Sequence, residues 1–193
     1  MPWSLDYQQP KEPALLEQLF LAAGKALYLA SAFEGKCKFL LRLVKIIHFH
    51  ESTGDASATA TLAKLLKEKM LGATIKELNT ITEFTEKDLV VFEKGKDARN
   101  FIAHESVQLG PLSSITAKSI NEKLERLQLE LAALAAADNL ISVWLYEMDE
   151  KEPAPTGIQT AYPEWVSQWV FEGSYDTSQV NPRNPMILKD GQD

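Results

Sequence analysis

Apolar side chains at Ala26, Ala30, Phe33, Cys37, Leu40, Val44 and Ile47 recur at alternating spacings of four and three, and a second stripe runs through Ile120, Leu124, Leu127, Leu131, Leu134, Ile141 and Leu145. Such spacings return to one face of a 3.6-residue helix, so each stripe is the inward side of a long helix. No strand-like alternation, internal repeat or glycine-rich phosphate loop interrupts the pattern. The expected fold is all-α: an up-and-down helical bundle of four main helices with a short C-terminal helix and an extended tail.

Caps and breakers give the expected boundaries. The first helix should run from about Ala14 to His50, with Pro13 in its first turn and Glu51-Ser52-Thr53-Gly54-Asp55 as its stop. Gly24 and Gly35 lower its helicity and permit a kink or a close approach by a neighbour. A second helix is predicted from Thr59 to about Leu71, capped by Gly72, and Ala73 to Thr82 reads as a short helix or an irregular connection. The third helix, Glu86 to about Glu105, has a strong start: Thr85 is placed to cap the amide of Asp88, and Phe84 and Leu89 occupy staple positions. After Gly110-Pro111, Ser113 or Ser114 opens a fourth helix to about Asp149. Its run Leu129 to Ala137 offers little that is polar, a face suited to another subunit.

Residues 1–150 therefore form the bundle domain, and 151–193 form a linker, a short helix and a tail. The short helix carries Tyr162, Trp165, Val166, Trp169 and Val170 on one face, with Pro163 at a first-turn position. Core docking explains this aromatic face better than base stacking by Trp165 and Trp169. Pro182 and Pro185 mark the tail as extended.

Composition narrows the function. With 27 acidic and 20 basic residues the net charge is -7, so the surface as a whole does not attract nucleic acid. A polyanion would need a local basic site, for which Lys64, Lys67, Lys69, Lys76, Lys94 and Lys96 are the candidates beside a plain solvated face. A lone Cys37 leaves no intramolecular disulfide and no cysteine-built zinc site. Met1-Pro2-Trp3-Ser4-Leu5-Asp6 lacks the basic stretch and apolar core of a signal peptide. A soluble cytoplasmic protein with no membrane association is expected.

The chemistry-bearing segment is Arg99-Asn100-Phe101-Ile102-Ala103-His104, at the end of the third helix. Residues five apart lie about 140° around a helix, so Arg99 and His104 do not share a face, whereas Asn100 and His104, four apart, do. One centre forms only if the helix loosens at His104 or if two copies meet across a two-fold axis. The bland reading is a surface arginine and a histidine closing a helix C-terminus. Glu34 either reaches Arg99, should the first and third helices pack together, or is a solvated edge. His48, His50 and Glu51 suggest a metal, but residues two apart on a helix diverge by about 200°, and no metal or cofactor is expected.

Arg-Asn-x-x-x-His on the third of four main helices resembles the HEPN superfamily, whose signature is Arg, four to six residues, then His. Ala32-Phe33-Glu34, then Lys36 and a leucine-rich stretch, adds to the similarity. The resemblance covers about Leu19 to Tyr146. It implies a metal-independent endoribonuclease in which the RNA supplies its own 2′-hydroxyl. His104 would be the general base or acid, Arg99 would stabilise phosphorane charge, and Asn100 would position the phosphate or His104. It further implies a homodimer, 2′,3′-cyclic phosphate products, and a toxin or defence effector with an antitoxin or neighbouring effector protein as partner. In one branch a Tyr follows the His by two and is modified by an antitoxin; Ser106 stands there in this chain. The alternative of another class is a non-catalytic helical dimer binding a protein partner or nucleotide.

Overall fold

The computed structural model describes residues 10–82, 84–111 and 114–174. Among them the chain forms six helices: α1 (Pro13–Thr53), α2 (Ala56–Leu65), α3 (Leu71–Thr82), α4 (Glu86–His104), α5 (Ala117–Glu150) and α6 (Thr156–Phe171). The described residues contain no strand, so the all-α class stands. The predicted tail with Pro182 and Pro185, and Ser113, lie outside the described residues.

α1 starts on Pro13 and ends where Gly54, at φ 65°, sends its N–H to His50 O at 2.8 Å. Asp55 belongs to the next helix, because its carboxylate accepts the amides of Ser57 and Ala58 and caps α2. α2 buries no residue and stops at Leu65, short of the expected Leu71. Leu71 instead opens α3, with Leu71, Thr74, Ile75 and Leu78 on its buried side. Gly72 thus lies in a first turn and is no cap: packing of α3 against α1 decides the boundary, not glycine propensity.

α4 begins as expected. Thr85 Oγ1 accepts the Asp88 N–H at 3.2 Å, and the Asp88 carboxylate accepts the Thr85 N–H at 3.3 Å, so two otherwise unpaired donors are satisfied. The start of α5 differs from the sequence reading. Thr116, not Ser113 or Ser114, is its cap, in a reciprocal pair with Ser119, while the Ser114 hydroxyl bonds Pro111 O at 2.8 Å. α6 starts a turn and a half early, so Pro163 lies inside it. Pro163 has no N–H for the carbonyl of Gln159, and that carbonyl accepts the side-chain amide of Asn139 at 2.7 Å, which explains why the helix tolerates the proline.

Three helices meet at one close crossing. The stripe of α1 is buried from Ala26 to Val44, and α5 lays Ile120, Leu127, Leu131, Leu134 and Ile141 into the same core. α4 fits between them at Gly95: a Cβ there would lie 2.3 Å from Ala137 Cβ and 3.3 Å from the Phe33 ring. Phe84, Phe92 and Trp144 pack around it, with Phe84 and Phe92 rings stacked at 4.9 Å. The run from Leu129 to Ala137 mostly faces this core, because α5 packs on α1, α4 and α6 at once; Leu131, Leu134, Ala135 and Ala137 are buried while Leu129 stays exposed. By length and composition α5 is the one helix among the described residues able to cross a membrane, and it also contributes Ile120, Leu127, Leu131, Leu134 and Ile141 to the core.

α6 is tied down by a buried carboxylate. Asp138 is 2% exposed and accepts Lys36 Nζ at 2.8 and 2.9 Å and the Tyr162 hydroxyl, joining α1, α5 and α6. Ser142 completes the group, accepting Lys36 Nζ at 2.9 Å and donating to Asp138 O at 2.6 Å. Val166 and Val170 of α6 join the core, and Trp169 meets Tyr28 edge to face at 5.9 Å.

Gly95→Ala should destabilise the protein by about 2 kcal/mol, because Ala137 Cβ cannot rotate away and overpacking outweighs the helix-propensity gain of about 1 kcal/mol. Urea unfolding checks this, and adding Ala137→Gly should recover most of the loss. Additive losses in the double variant would show that the crossing is not the cause.

Candidate functional site at the end of α4

The hexapeptide falls on the last turn and a half of α4, which remains regular through His104. The Glu105 N–H bonds Phe101 O at 2.8 Å, an ordinary i to i-4 bond. The looser turn that would bring His104 round to Arg99 is therefore not what the chain adopts. The two side chains keep the divergence of about 140° that helix geometry requires.

Arg99 is held on one side of α4. Its Nη2 lies 2.5 Å from Glu34 Oε2 on α1, and its Nη1 donates to Asn100 Oδ1 at 3.1 Å. Glu34 is thus a partner of Arg99 and not a solvated edge. It also lies 2.9 Å from Lys38 Nζ, one turn along α1. Burial disfavours the charged form of Glu34, but the hydrogen bonds and charges of Lys38 and Arg99 outweigh it and hold the carboxyl below the usual carboxylate range. The Arg99 side chain keeps a quarter of its surface exposed.

Asn100 and His104 share a face as expected, yet the amide oxygen of Asn100 serves Arg99 rather than the imidazole. His104 is exposed, and its ring has no hydrogen-bond partner among the described residues. Its backbone carbonyl accepts the side-chain amide of Gln108. Ser106 is buried with its hydroxyl on Ile102 O at 2.6 Å.

Two cations escaped the sequence reading. Lys123 Nζ on α5 bonds Glu105 O at 3.0 Å, and Lys123 and Arg126 both lie over the Phe101 ring, at 5.5 and 5.6 Å from its centroid. Positive charge at a helix C-terminus offsets the partial negative charge of its carbonyls. The end of α4 thus presents an exposed imidazole with Arg99 on one side and Lys123 and Arg126 beside Phe101, Arg126 being paired with Glu130 at 2.5 Å. Only the packing of α5 on α4 could reveal the last two.

Compared with known protein families, curated proteins and solved structures, the chain matches none of them. What the site can do therefore rests on its own geometry. A rigid cation with free surface and an unencumbered imidazole suit an anionic ligand and proton transfer.

Elsewhere the candidates are occupied or inert. His48 is exposed, and His50 Nδ1 lies 3.3 Å from Thr59 Oγ1. No group of three or more His, Cys, Asp or Glu is placed to hold a metal among the described residues. Burial pushes the Cys37 thiol up, and the charges of Asp138 and Glu34 push it further, so it is not a nucleophile at neutral pH. Lys96 pairs with Glu93 and Asp97, which takes it out of the basic supply near Arg99.

Because the folded carboxyl of Glu34 titrates below its unfolded value of about 4.3, its stabilisation is present above that pH and is lost as pH falls through the folded value. Glu34→Gln should cost roughly 1 kcal/mol at pH 6, a figure discounted for the exposure of Arg99, and progressively less as pH falls below the unfolded value. Urea midpoints of both proteins across that range check the sign. A difference that does not shrink as pH falls would mean that packing, not charge, is lost.

Proposed function

We propose that the chain is a HEPN-like helical bundle acting as a metal-independent endoribonuclease in the cytoplasm, a toxin or defence effector whose substrate is RNA. The observation that supports this best is the pairing of a positioned Arg99, held by Glu34 and Asn100, with an exposed His104 at the end of the same helix. The 2′-oxygen of the RNA attacks its own phosphorus while His104 takes the hydroxyl proton or protonates the leaving 5′-oxygen. Attack forms the 2′-O–P bond and loss of the 5′-oxygen breaks the other, which leaves a 2′,3′-cyclic phosphate and a 5′-hydroxyl. Arg99 balances the charge gathering on the non-bridging oxygens, a task suited to its planar donors.

Since the two residues diverge on a regular helix, the reading includes a homodimer in which Arg99 of one copy faces His104 of the other. An antitoxin or neighbouring effector protein is a further partner in this reading. A second reading, a non-catalytic helical dimer binding a protein partner or nucleotide, is favoured by one observation. Phe20, Leu21, Leu27 and Tyr28 leave an apolar run exposed on α1.

Labelled RNA incubated with the purified protein and excess chelator should be cut, with cyclic phosphate ends. His104→Ala should lower the rate by about 100-fold or more and Arg99→Ala by a similar factor. Mixing the two inactive variants should restore activity if the centre is shared between copies. Cutting by folded His104→Ala at the wild-type rate, or strict dependence on added metal, sinks the nuclease reading; a monomeric mass at micromolar concentration sinks the shared centre.

A further inference from the structure

The seam of α1 faces the core, and about 120° round from it the helix carries Lys38, Arg42 and Lys45 at spacings of four and three. The chain leaving α2 returns along this side and places Lys67 and Lys69 opposite. Between them runs a groove of about 450 Å³ lined by these five cationic side chains and two carboxylates, Glu34 and Glu68. In a chain of net charge -7 this is a local reversal of sign. Glu77, paired with Lys45 at 2.5 Å and Lys69 at 2.8 Å, is a third carboxylate against the five cations, and the balance stays positive. The Lys45 and Lys69 hydrogen bonds hold the Glu77 carboxyl below the usual range, so at neutral pH it fixes where those two ammonium groups stand.

The groove adjoins the site at the end of α4. Glu34 lines it and is also the carboxylate on Arg99 at 2.5 Å. From Glu34 to Lys45 the axis of α1 rises about 16 Å, so the cations form a row and not a point. Phe39, 58% exposed, adds an open ring to the lining. Convergent cations select a single phosphate; a row beside an aromatic face matches the repeating charge and bases of a strand.

We propose that this groove holds the phosphates of a single RNA strand leading to Arg99, where a second copy brings its His104, with Phe39 as a stacking ring; the identity of the polymer rests on the ribonuclease reading. The phosphates take over the Lys38 ammonium group from Glu68, which is exposed, and such a pair is worth little, so that exchange costs little. Lys45 and Lys69 keep Glu77, whose Oε2 is buried, and meet the strand with their remaining N–H donors. Lys38 keeps Glu34 satisfied when a phosphate replaces it on Arg99.

The test uses the full chain and a fluorescent single-stranded 2′-O-methyl RNA, which has no free 2′-hydroxyl and cannot be cut. Lys67→Glu combined with Lys69→Glu should weaken binding by roughly tenfold or more at low salt and reduce the salt slope by about 1.4, two phosphate contacts' worth. Lys67→Gln, which keeps the Glu77 pairs, should lose part of the same affinity, and Lys118→Glu on α5 should lose none. Unchanged melting temperatures show that the variants are folded. Tight binding in the groove by a protein that never cuts RNA would support the groove and end the nuclease reading. His104-dependent cutting with binding untouched by Lys67→Glu and Lys69→Glu would overturn the groove and leave the nuclease. Displacement of the oligonucleotide by micromolar AMP would overturn the strand in favour of a mononucleotide site.

Discussion

The missing side chain of Gly95 is what lets three helices share one core. With Ala137 Cβ only 2.3 Å from where a Gly95 Cβ would stand, α4 approaches α5 as closely as backbones allow, and the Phe33 ring of α1 closes the third side. That crossing lies just over one turn before Arg99 on α4 and one residue before Glu34 on α1. The contact that excludes solvent thereby also sets the distance between the candidate site's guanidinium and its carboxylate. A wider crossing would leave a gap at Phe33 and a broken ion pair at Glu34 together.

A short stretch of α1 sends its side chains in four directions. Phe33 and Cys37 go to the core, Glu34 to α4, Lys36 to Asp138 on α5, and Lys38 to the basic groove. Asp138 is the costliest of these placements, a carboxylate 3% exposed at its side chain, and it is tolerated because Lys36 and Tyr162 satisfy it from two other helices. Charge pairing and apolar packing therefore specify the same rotation of α1. Had α1 turned by one residue, about 100°, Lys36 would leave Asp138 unpaired and Glu34 would leave Arg99.

What could be read from the chain was whatever depends on near neighbours. The Thr85 and Asp88 capping pair lies within four residues, and both long stripes repeat every turn, so the ends of α4 and the inward faces of α1 and α5 were legible. Boundaries set from a distance were not. Leu71 begins a helix because α1 buries it, and Pro163 sits within one because Asn139, on a different helix, takes the carbonyl the proline leaves free. The site divides the same way. Arg99, Asn100 and His104 stand out as a local pattern, and Glu34 could be named only on condition that its helix packed on theirs. Lys123 and Arg126 lie beside the α5 stripe and read as solvated cations until α5 packs on α4, and the α1 cations of the groove lie about 120° round from the stripe that draws attention.

The regularity of α4 carries the remaining argument. A helix that frayed after Arg99 could fold His104 back and build a centre from one chain, but the Glu105 bond to Phe101 O keeps the last turn closed, and Lys123 on Glu105 O reinforces it. Ser106 adds to this by burying its hydroxyl on Ile102 O. Three bonds thus oppose the rearrangement that a single-chain centre would need, each worth about 1 kcal/mol. Against them a single-chain centre would gain only a phosphate contact, whereas a second copy leaves all three bonds in place. If Arg99 and His104 act on one phosphate, an intermolecular arrangement is the less costly route, and the firmness of the end of α4 is the physical reason for it.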